Sequence, residues 1–508
     1  MMINIYRLLH CFVLLTACSL LYLTLVLAEE SKFIHINVAD AVIIALQNNI
    51  DVKSAYMDRN VQRYDLRLAE DKFTPKSGLN FGISRSSAYD MSSSGRTNSI
   101  NHQGDYQVAL TIPTGGNFTF TWANLAEKPE VGQDYGYNSS WSLNFRQPLL
   151  KGGGKDNAVY SINVARLIEV QNILVLQDIL AATITKAITS YRNYVSSKRQ
   201  LSIVDQSLEA AKKIYEINEA LLKAGRRAEM ELVETKANIA IRELDVLQAT
   251  NAVESARLNL IQTLNIDKDT QIDTFEEKEI QVSPPTLNEG IDIAKKNRRD
   301  YLWALQNIEI KKWDIANAKR NRLWNLNLEA STTDGEGFII NDSVDSAWRR
   351  AVRSGSERNW SIGLTMDIPL NSLTQDERNY LSAKIELKKA TMMLTKMERD
   401  LEIAVQNAIR DVETNYRQME LAKQARELSE KKLEVENEKL RVGRTSNFQV
   451  VSYQNDLSSS QVSELTAVIN YLNALTTLDE TLGTTLLTWK IEVTKEDDKV
   501  NLPEASQK

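Results

Sequence analysis

Cysteine and histidine are almost absent from this 508-residue chain, which contains two cysteines and three histidines. Both cysteines, Cys11 and Cys18, lie close to the amino terminus, and the histidines beyond it, His35 and His102, are far apart. Disulfide frameworks and zinc sites need paired or clustered residues of these types. We therefore expect no disulfide, no metal site and no cofactor.

Residue groupings typical of enzymes are also missing, because no nucleophile, base and orienting residue stand together. The segment Gly152-Gly153-Gly154-Lys155 lacks the spacing and the Ser or Thr of a phosphate-binding loop, and we interpret it as the start of a long helix. The chain has 61 basic and 67 acidic residues, a balance that gives no reason to expect nucleic acid. We expect that the protein is not an enzyme.

Long apolar runs are confined to the amino terminus, where the stretch from Leu8 to Leu27 is almost continuously apolar. One charge precedes the run, and Ala28 with the acidic Glu29 follows it, so residues 1–28 predict a cleaved secretory signal peptide. An uncleaved membrane anchor and a lipoprotein signal with Cys18 as the lipidated residue are the alternatives. No later run of 18 apolar residues occurs, so we expect no later transmembrane helix.

Glycine and proline are missing from residues 155–224 and from residues 371–442. Both stretches are rich in helix-forming residues, so each predicts one continuous helix about 100 Å long. A single glycine, Gly225 or Gly443, then precedes a second stretch of about forty residues without a helix breaker. This order predicts two antiparallel helical hairpins with tips at Gly225 and Gly443.

The long helices carry apolar residues at the spacing of a coiled coil, which indicates a lateral partner. The predicted seams consist of Leu201, Val204, Leu208, Ala211, Tyr215, Asn218 and Leu222 in the first half, and of Leu421, Leu428, Val435 and Val442 in the second.

The chain contains an internal duplication, because three blocks of similar residues recur in the same order. The offset falls from 249 residues (Asp65 to Asp314) to 218 residues (Leu222 to Leu440), so the first half holds about thirty extra residues. The matches are Ala45, Asn48, Asp51, Ala55, Asp65 and Ala69 with Ala294, Asn297, Asp300, Ala304, Asp314 and Ala318; Trp141-Ser142-Leu143 with Trp360-Ser361-Ile362; and Leu222 to Arg226 with Leu440 to Arg444.

Each half opens with a helix, roughly Val38 to Lys72 and Leu287 to Arg322, and continues with alternating apolar and polar residues. The first repeat therefore spans residues 29–283 with strands in 78–147, and the second spans 284–490 with strands in 325–369. A polar tail, 491–508, follows.

The alternating strands predict one apolar and one polar face, as in a soluble sandwich or a membrane barrel. One copy offers four to six strands, fewer than the smallest barrel needs, so a barrel must be shared between copies. The residues predicted to face lipid are Trp141, Leu143, Phe145, Trp360, Ile362 and Leu364. The extra segment around Pro113 to Asn117 predicts an added hairpin that either widens the barrel or projects outside the cell.

Together these features resemble the TolC family of outer-membrane efflux proteins over roughly residues 36 to 490. The marks are the strand-to-helix junctions Gln147-Pro148-Leu149-Leu150 and Ile368-Pro369-Leu370, the tips Gly225-Arg226 and Gly443-Arg444, and the duplication itself.

The resemblance implies an α+β membrane protein: a homotrimer with a shared outer-membrane β-barrel, continued across the periplasm by a barrel of α-helical hairpins. It implies an exit duct for tripartite efflux or type I secretion, joined by a periplasmic adaptor (membrane fusion) protein to an inner-membrane pump of the RND or ABC type. Implied adaptor contacts are Leu222, Gly225, Arg226, Leu440, Gly443, Arg444, Thr445 and Ser446, and for the two glycines hairpin capping is an equal alternative.

The second tip departs from the family, whose members often carry two aspartates where this chain has Gln449 and Ser452. The first repeat has Glu231 and Glu234 at the equivalent positions, and a carboxylate ring there would favour cations. These four residues are the candidates for a pore constriction. The rival function is a non-conducting periplasmic coiled-coil scaffold, and the sequence does not identify the transported cargo.

Overall fold

A computed structural model describes residues 33–90, 95–129, 134–224, 229–275, 283–335, 339–340, 345–347, 349, 358–368, 373–442 and 444–491. The predicted signal peptide with Cys18 and most of the polar tail lie outside these residues, as do Gly225, Arg226 and Gly443.

Helices and strands alternate in two series along the chain. In order they are β1 (Phe33–Ile36), α1 (Val38–Asn48), α2 (Ile50–Glu70), β2 (Lys76–Asp90), β3 (Gly95–Thr111), β4 (Asn117–Pro129), β5 (Gly136–Pro148), α3 (Lys155–Ala158), α4 (Tyr160–Lys223), α5 (Glu229–Leu264), β6 (Gln271–Thr274), α6 (Leu287–Asn297), α7 (Arg299–Asn321), β7 (Asn325–Gly335), β8 (Ile339–Ile340), β9 (Asn359–Asp367), α8 (Leu373–Arg441), α9 (Asn447–Leu482) and α10 (Thr485–Thr488).

The described residues form two compact units. The helical unit takes its residues from 1–56, 176–298 and 401–508, and the sheet unit takes its residues from 57–175 and 299–400. Helices α4 and α8, of 64 and 69 residues, contribute to both units. At 1.5 Å per residue each is about 100 Å long, as the absence of glycine and proline predicts.

The helical stretches that open the two halves, Val38 to Glu70 and Leu287 to Asn321, are each broken once. Asn49 and Arg298, 249 residues apart, have extended backbones with ψ of 134° and 116°. At the first break Asn49 Oδ1 accepts a hydrogen bond of 2.8 Å from the Asp51 N–H and so caps α2. A polar residue that can cap is a sufficient reason for a break without glycine or proline.

Helix α4 carries an 18-residue window with a mean hydropathy of 1.5, enough by length and composition to cross a membrane. The core helix of a protein can pass the same test, so the expectation of no later transmembrane helix stays a prediction. The core of the helical unit accounts for part of this composition, because six α4 residues there are at most 2% exposed. They are Leu180, Ala181, Ile184, Ala187, Ile188 and Tyr191, and they pack beside the parallel pair β1–β6.

The sheet unit contains an antiparallel sheet in the order β2-β3-β4-β5-β7-β9, and the short β8 also pairs with β5. The Leu326 to Ala330 strand (β7) pairs with the Trp360 strand (β9). The segment around Pro113 is the turn between β3 and β4, and both strands pair within this sheet, between β2 and β5. One copy therefore has six long strands among its described residues.

Candidate functional site

The sheet has one apolar and one polar face across all six long strands. Residues that pair in an antiparallel sheet share a face, so the register carries a row from Val108 through Phe120 and Leu143 to Trp360. The six residues predicted to face lipid lie on this apolar face. Its other apolar members are Leu79, Phe81, Ile83, Tyr106, Leu110, Phe118, Trp122, Leu326, Leu328 and Met366.

The apolar band crosses the sheet obliquely. Followed from strand to strand, the residue pairing connects Phe81, midway along the apolar run of β2, with Ser139 on β5. From the other edge it connects Leu364, midway along the apolar run of β9, with Gln147 on β5. The two β5 residues are eight positions apart (147 − 139). The shift arises in two steps of four residues, between β2 and β3 and between β5 and β7, whereas Val108, Phe120 and Leu143 lie level. Eight residues span about 26 Å and five strand spacings about 24 Å, so the mean slope of the band across the sheet is about 45° to the strands. Transmembrane strands tilt by a similar angle, about 35–45°, so a level lipid layer would meet such a band.

The opposite face is polar and holds few charges. Ser331 and Ser361 share a hydrogen bond of 2.8 Å across β7 and β9, and the Thr365 hydroxyl donates to Glu329 at 3.0 Å. Glu329 also lies 3.5 Å from Arg146 on β5. A face of this composition can line a water-filled lumen.

The two outermost strands, β2 and β9, each pair on one side only among the described strands. Their apolar side chains are correspondingly bare, with Phe81 81% and Trp360 74% exposed. Unpaired edges of this length are a template for pairing with another chain. Because the sheet has an even number of antiparallel long strands, its two edges run in opposite directions and can pair antiparallel with the edges of further copies.

The beginnings of α5 and α9 lie together in the helical unit. Glu234, Thr235 and Asn238 from α5 line a cavity of about 230 Å³ with Ser446, Asn447 and Phe448 from the start of α9. Ser446 caps α9 through its hydroxyl, which accepts from the Gln449 N–H at 3.4 Å. The two hairpin ends are thus packed against each other within one copy.

A buried amide pair joins the two hairpins at this level. The Asn447 Nδ2 donates to Asn218 Oδ1, and Asn218 is 1% exposed in the seam of α4. Asn218 Nδ2 has no hydrogen-bond partner within the described part of the chain. A buried asparagine in a helical seam costs stability and fixes one register, since the amides pair only in that alignment.

Searches for relatives in sequence are negative: no family model matches the chain, and no curated protein is similar to it in sequence. Solved structures are similar in fold. The CmeC outer membrane channel of Campylobacter jejuni is 17% identical, with 88% of this chain and 86% of that chain covered at a TM-score of 0.63. The outer membrane protein VceC of Vibrio cholerae is 14% identical, with coverage of 88% and 96% at 0.65.

A third similar structure is the open state of the MtrE outer membrane channel of Neisseria gonorrhoeae, which is 15% identical, with coverage of 88% and 89% at a TM-score of 0.63. The chain has the fold of these outer-membrane channels. The fold implied by the TolC-type resemblance is thereby confirmed for a single copy.

The predicted tip residues fall at the ends of helices where they are described. Leu222 and Leu440 are in the last turns of α4 and α8, partly exposed, and Arg444 is exposed. Thr445 precedes the cap residue Ser446. Gly225, Arg226 and Gly443 lie outside the described residues.

The predicted constriction residues are only partly brought together. Glu234 lies on the shared cavity, while Gln449 and Ser452 are partly exposed on α9. Glu231 lies in α5, and its side chain is outside what the structure describes. No group of three His, Cys, Asp or Glu residues with metal-binding geometry occurs within the described part of the chain.

A carboxylate that the sequence analysis missed holds the second tip. The buried Glu436 accepts a hydrogen bond of 2.5 Å from the Thr445 hydroxyl and one of 3.0 Å from Lys439. These two donors hold the pKa of Glu436 below its ordinary value of 4.5. An acidic residue in a solvated charge run gives no sequence signal for such a role.

A carboxyl pKa that is lowered on folding stabilises the fold above the ordinary pKa, and that stability is lost as pH falls through the folded pKa. We expect amide hydrogen exchange over residues 436–449 to be slow and constant from pH 7 to about 5.5, after correction for intrinsic rates, and to accelerate below 4.5. Glu436→Gln should exchange faster already at pH 7 and lose this pH dependence. Glu438→Gln, on an exposed carboxylate 3.0 Å from Arg441, is the control and should resemble the unmodified protein.

Proposed function

We propose that the protein is an outer-membrane exit duct, in which copies of the chain join their sheets into one β-barrel. The sloping apolar band is the observation that carries this proposal. A soluble sheet needs no particular slope of its apolar face, whereas strands tilted in a bilayer require an apolar zone at about 45° to the strand direction. The apolar face would contact lipid and the polar face would line the water-filled exit.

Closure of the barrel requires further copies, and we propose three. Edge strands β2 and β9 of adjoining copies would pair antiparallel and remove both edges. The long helices offer a second contact between copies. Leu421, Leu428, Val435 and Val442, predicted as a coiled-coil seam, are 54–66% exposed on α8 in a single copy. A heptad stripe left bare in one copy is suited to a helix of the next.

The helical hairpins would extend into the periplasm and meet an adaptor protein at their tips, through Leu222, Leu440, Arg444, Thr445 and Ser446 together with Gly225, Arg226 and Gly443. An inner-membrane pump of the RND or ABC class would supply the cargo. A signal peptide over residues 1–28 would direct the chain to export. The fold shared with outer membrane channels from three bacteria supports this location.

Glu231 and Glu234 in the first repeat and Gln449 and Ser452 in the second remain our proposed constriction. Only the first repeat supplies carboxylates, so three copies would contribute six rather than twelve acidic groups. Such a ring would select cations weakly.

Planar-bilayer recording of the purified protein tests the proposal. An exit duct gives discrete conductance steps and a trimer by mass measurement in detergent. A periplasmic scaffold gives neither insertion nor steps, and that result would overturn the duct.

The exposed heptad stripe yields a separate prediction. Leu428→Ala should weaken the trimer by about 1–2 kcal/mol per copy, because a side chain two-thirds exposed in one copy loses the burial it gains on assembly. The expected readout is trimer dissociation at lower denaturant in mass photometry. Lys423→Ala, at an exposed position on the opposite side of α8, is the control. Equal behaviour of the two variants would remove this stripe from the interface.

A further inference from the structure

We propose that the exit barrel has eighteen strands, because the first repeat carries an extra in-sheet hairpin, and that its lumen imposes no size selection on cargo that has passed the tips. This inference rests on the proposed trimeric duct and concerns the width of its exit.

The second repeat serves as an internal reference for the first. There β7 pairs directly with β9, whereas their equivalents β2 and β5 are separated by β3 and β4. The repeat offset is still 249 residues at the start of the strands (Lys76 to Asn325) and is 219 at Trp141 to Trp360. The thirty-residue difference therefore arises between these two points, where β3 and β4 lie. The extra residues of the first half are this hairpin.

The hairpin is built into the wall rather than attached to it. Strand β3 pairs with β2 from Gly95 to Ala109, and β4 pairs with β5 from Asn117 to Glu127. Its residues on the apolar face belong to the same band, which it meets on β2 through the pair Leu79 and Tyr106. They are Tyr106, Val108 and Leu110 on β3, and Phe118, Phe120 and Trp122 on β4. A hairpin projecting into water would have no reason to carry this face.

The turn of the hairpin is fixed against the strand-to-helix junction. The Gly154 N–H donates to the Thr114 carbonyl at 3.0 Å, and Gln147 Nε2 donates to the same carbonyl at 3.0 Å. The Thr114 hydroxyl donates in turn to Gln147 Oε1 at 2.7 Å. Gly115, with φ of +91°, brings its backbone close to the Gly152 carbonyl. The added strands thus end level with β5, where the long helix begins.

Insertion of two strands preserves the antiparallel order, so a copy grows from four strands to six and three copies from twelve to eighteen. With strands about 4.8 Å apart and tilted by about 40°, the backbone diameter rises from about 24 Å to about 36 Å. Side chains occupy about 5 Å inside the wall, since packed sheets are about 10 Å apart. The lumen would then be about 25 Å wide, and barrels of 16–18 strands leave an aqueous channel.

The added inner wall is suited to hydrophilic cargo. It presents Gln103, Gln107, Thr111, Asn117, Thr119 and Thr121, with Asp105 as a charged residue among them. A wide, polar and weakly charged exit contributes little discrimination by size or charge, which leaves selection to the hairpin tips.

Distances between spin labels test the width. The chain has no cysteine beyond residue 18, so Ile362→Cys on the apolar, outward face of β9 gives one label per copy after signal cleavage. With labels about 5 Å outside the wall, double electron–electron resonance on the trimer should report about 40 Å between labels for eighteen strands and about 30 Å for twelve. Deletion of Gly95–Pro129 should shorten the distance by about 10 Å, because β2 can then pair with β5 as β7 does with β9.

A label at Ser459 on α9 is the control and should give the same distance in the full chain and in the deletion variant. A trimer with an Ile362 distance near 30 Å overturns the eighteen-strand barrel alone. If the deletion variant does not assemble, the distance in the full chain still decides. Absence of any distance between copies, with monomers by mass, overturns the trimeric duct together with the inference.

Discussion

Gly153→Ala is expected to destabilise the sheet unit by about 3 kcal/mol, and so to lower the melting temperature by about 10 °C, at 2–4 °C per kcal/mol. A Cβ at Gly153 would overlap the backbone oxygen of Pro148 and lie 2.9 Å from its carbonyl carbon. Backbone atoms in a short turn cannot move aside as a flexible side chain can. The turn must then open, and with it the anchorage of the β3–β4 hairpin.

Gly363→Ala is the matched control, because a Cβ at this strand position meets no atom within 4 Å. We expect it to be neutral or to stabilise by about 0.5 kcal/mol, since alanine restricts the unfolded chain more than glycine does. Melting followed by intrinsic fluorescence in detergent measures both variants. Similar melting temperatures for the two would show that the junction is not rigidly packed.

In the proposed barrel, Leu364→Arg is expected to destabilise the assembly by about 2–4 kcal/mol per copy, the cost of a cationic side chain at the bilayer midplane. Leu364 is 68% exposed on the apolar face and stands midway along the apolar run of β9. An arginine at this depth must either lose its hydration or distort the lipid around it. Extraction from urea-equilibrated liposomes, with the folded fraction read by heat-modifiable gel mobility, gives the free energy of unfolding.

Thr365→Arg provides the control one residue away, on the opposite face. The Thr365 hydroxyl already bonds Glu329, so an arginine there meets a carboxylate and, in the proposed duct, water. We expect a change within about 0.5 kcal/mol, as for most surface substitutions. If Thr365→Arg were the more damaging of the two, the assignment of the faces would be reversed.

The strands were largely predictable from alternation, because a residue such as Leu143 between Ser142 and Asn144 reports its face directly. The duplication also shows which strands are equivalent in the two repeats, which no single strand can show. The match of Trp141 with Trp360 identifies equivalent strands and locates the inserted residues between them. The register of the strands could not be predicted from the sequence. The residues of the turn around Gly115 do not reveal that Thr114 hydrogen-bonds Gln147 on a neighbouring strand.

The helix breaks at Asn49 and Arg298 were not predictable from breaker residues. Polar residues occur throughout these helices, and only the capping contact with Asp51 distinguishes Asn49. The tip contacts were missed for a related reason. Asn218 belongs to the predicted seam and is buried, yet its partner Asn447 is 229 positions away and belongs to the other repeat. Pairing between the repeats depends on how the two hairpins pack, and the spacing of apolar residues in one helix does not show which helix it packs against.

The two unpaired edges of the sheet also have a consequence for assembly of the protein. In the proposed duct, a newly exported copy would present unpaired backbone along β2 and β9 together with an exposed apolar band, and it could bury neither alone. Its stability would then depend on the concentration of other copies and on access to a bilayer. A cell that produced the protein faster than trimers form would have to keep unassembled chains from aggregating, and dilution would dissociate the assembly under milder conditions than heat.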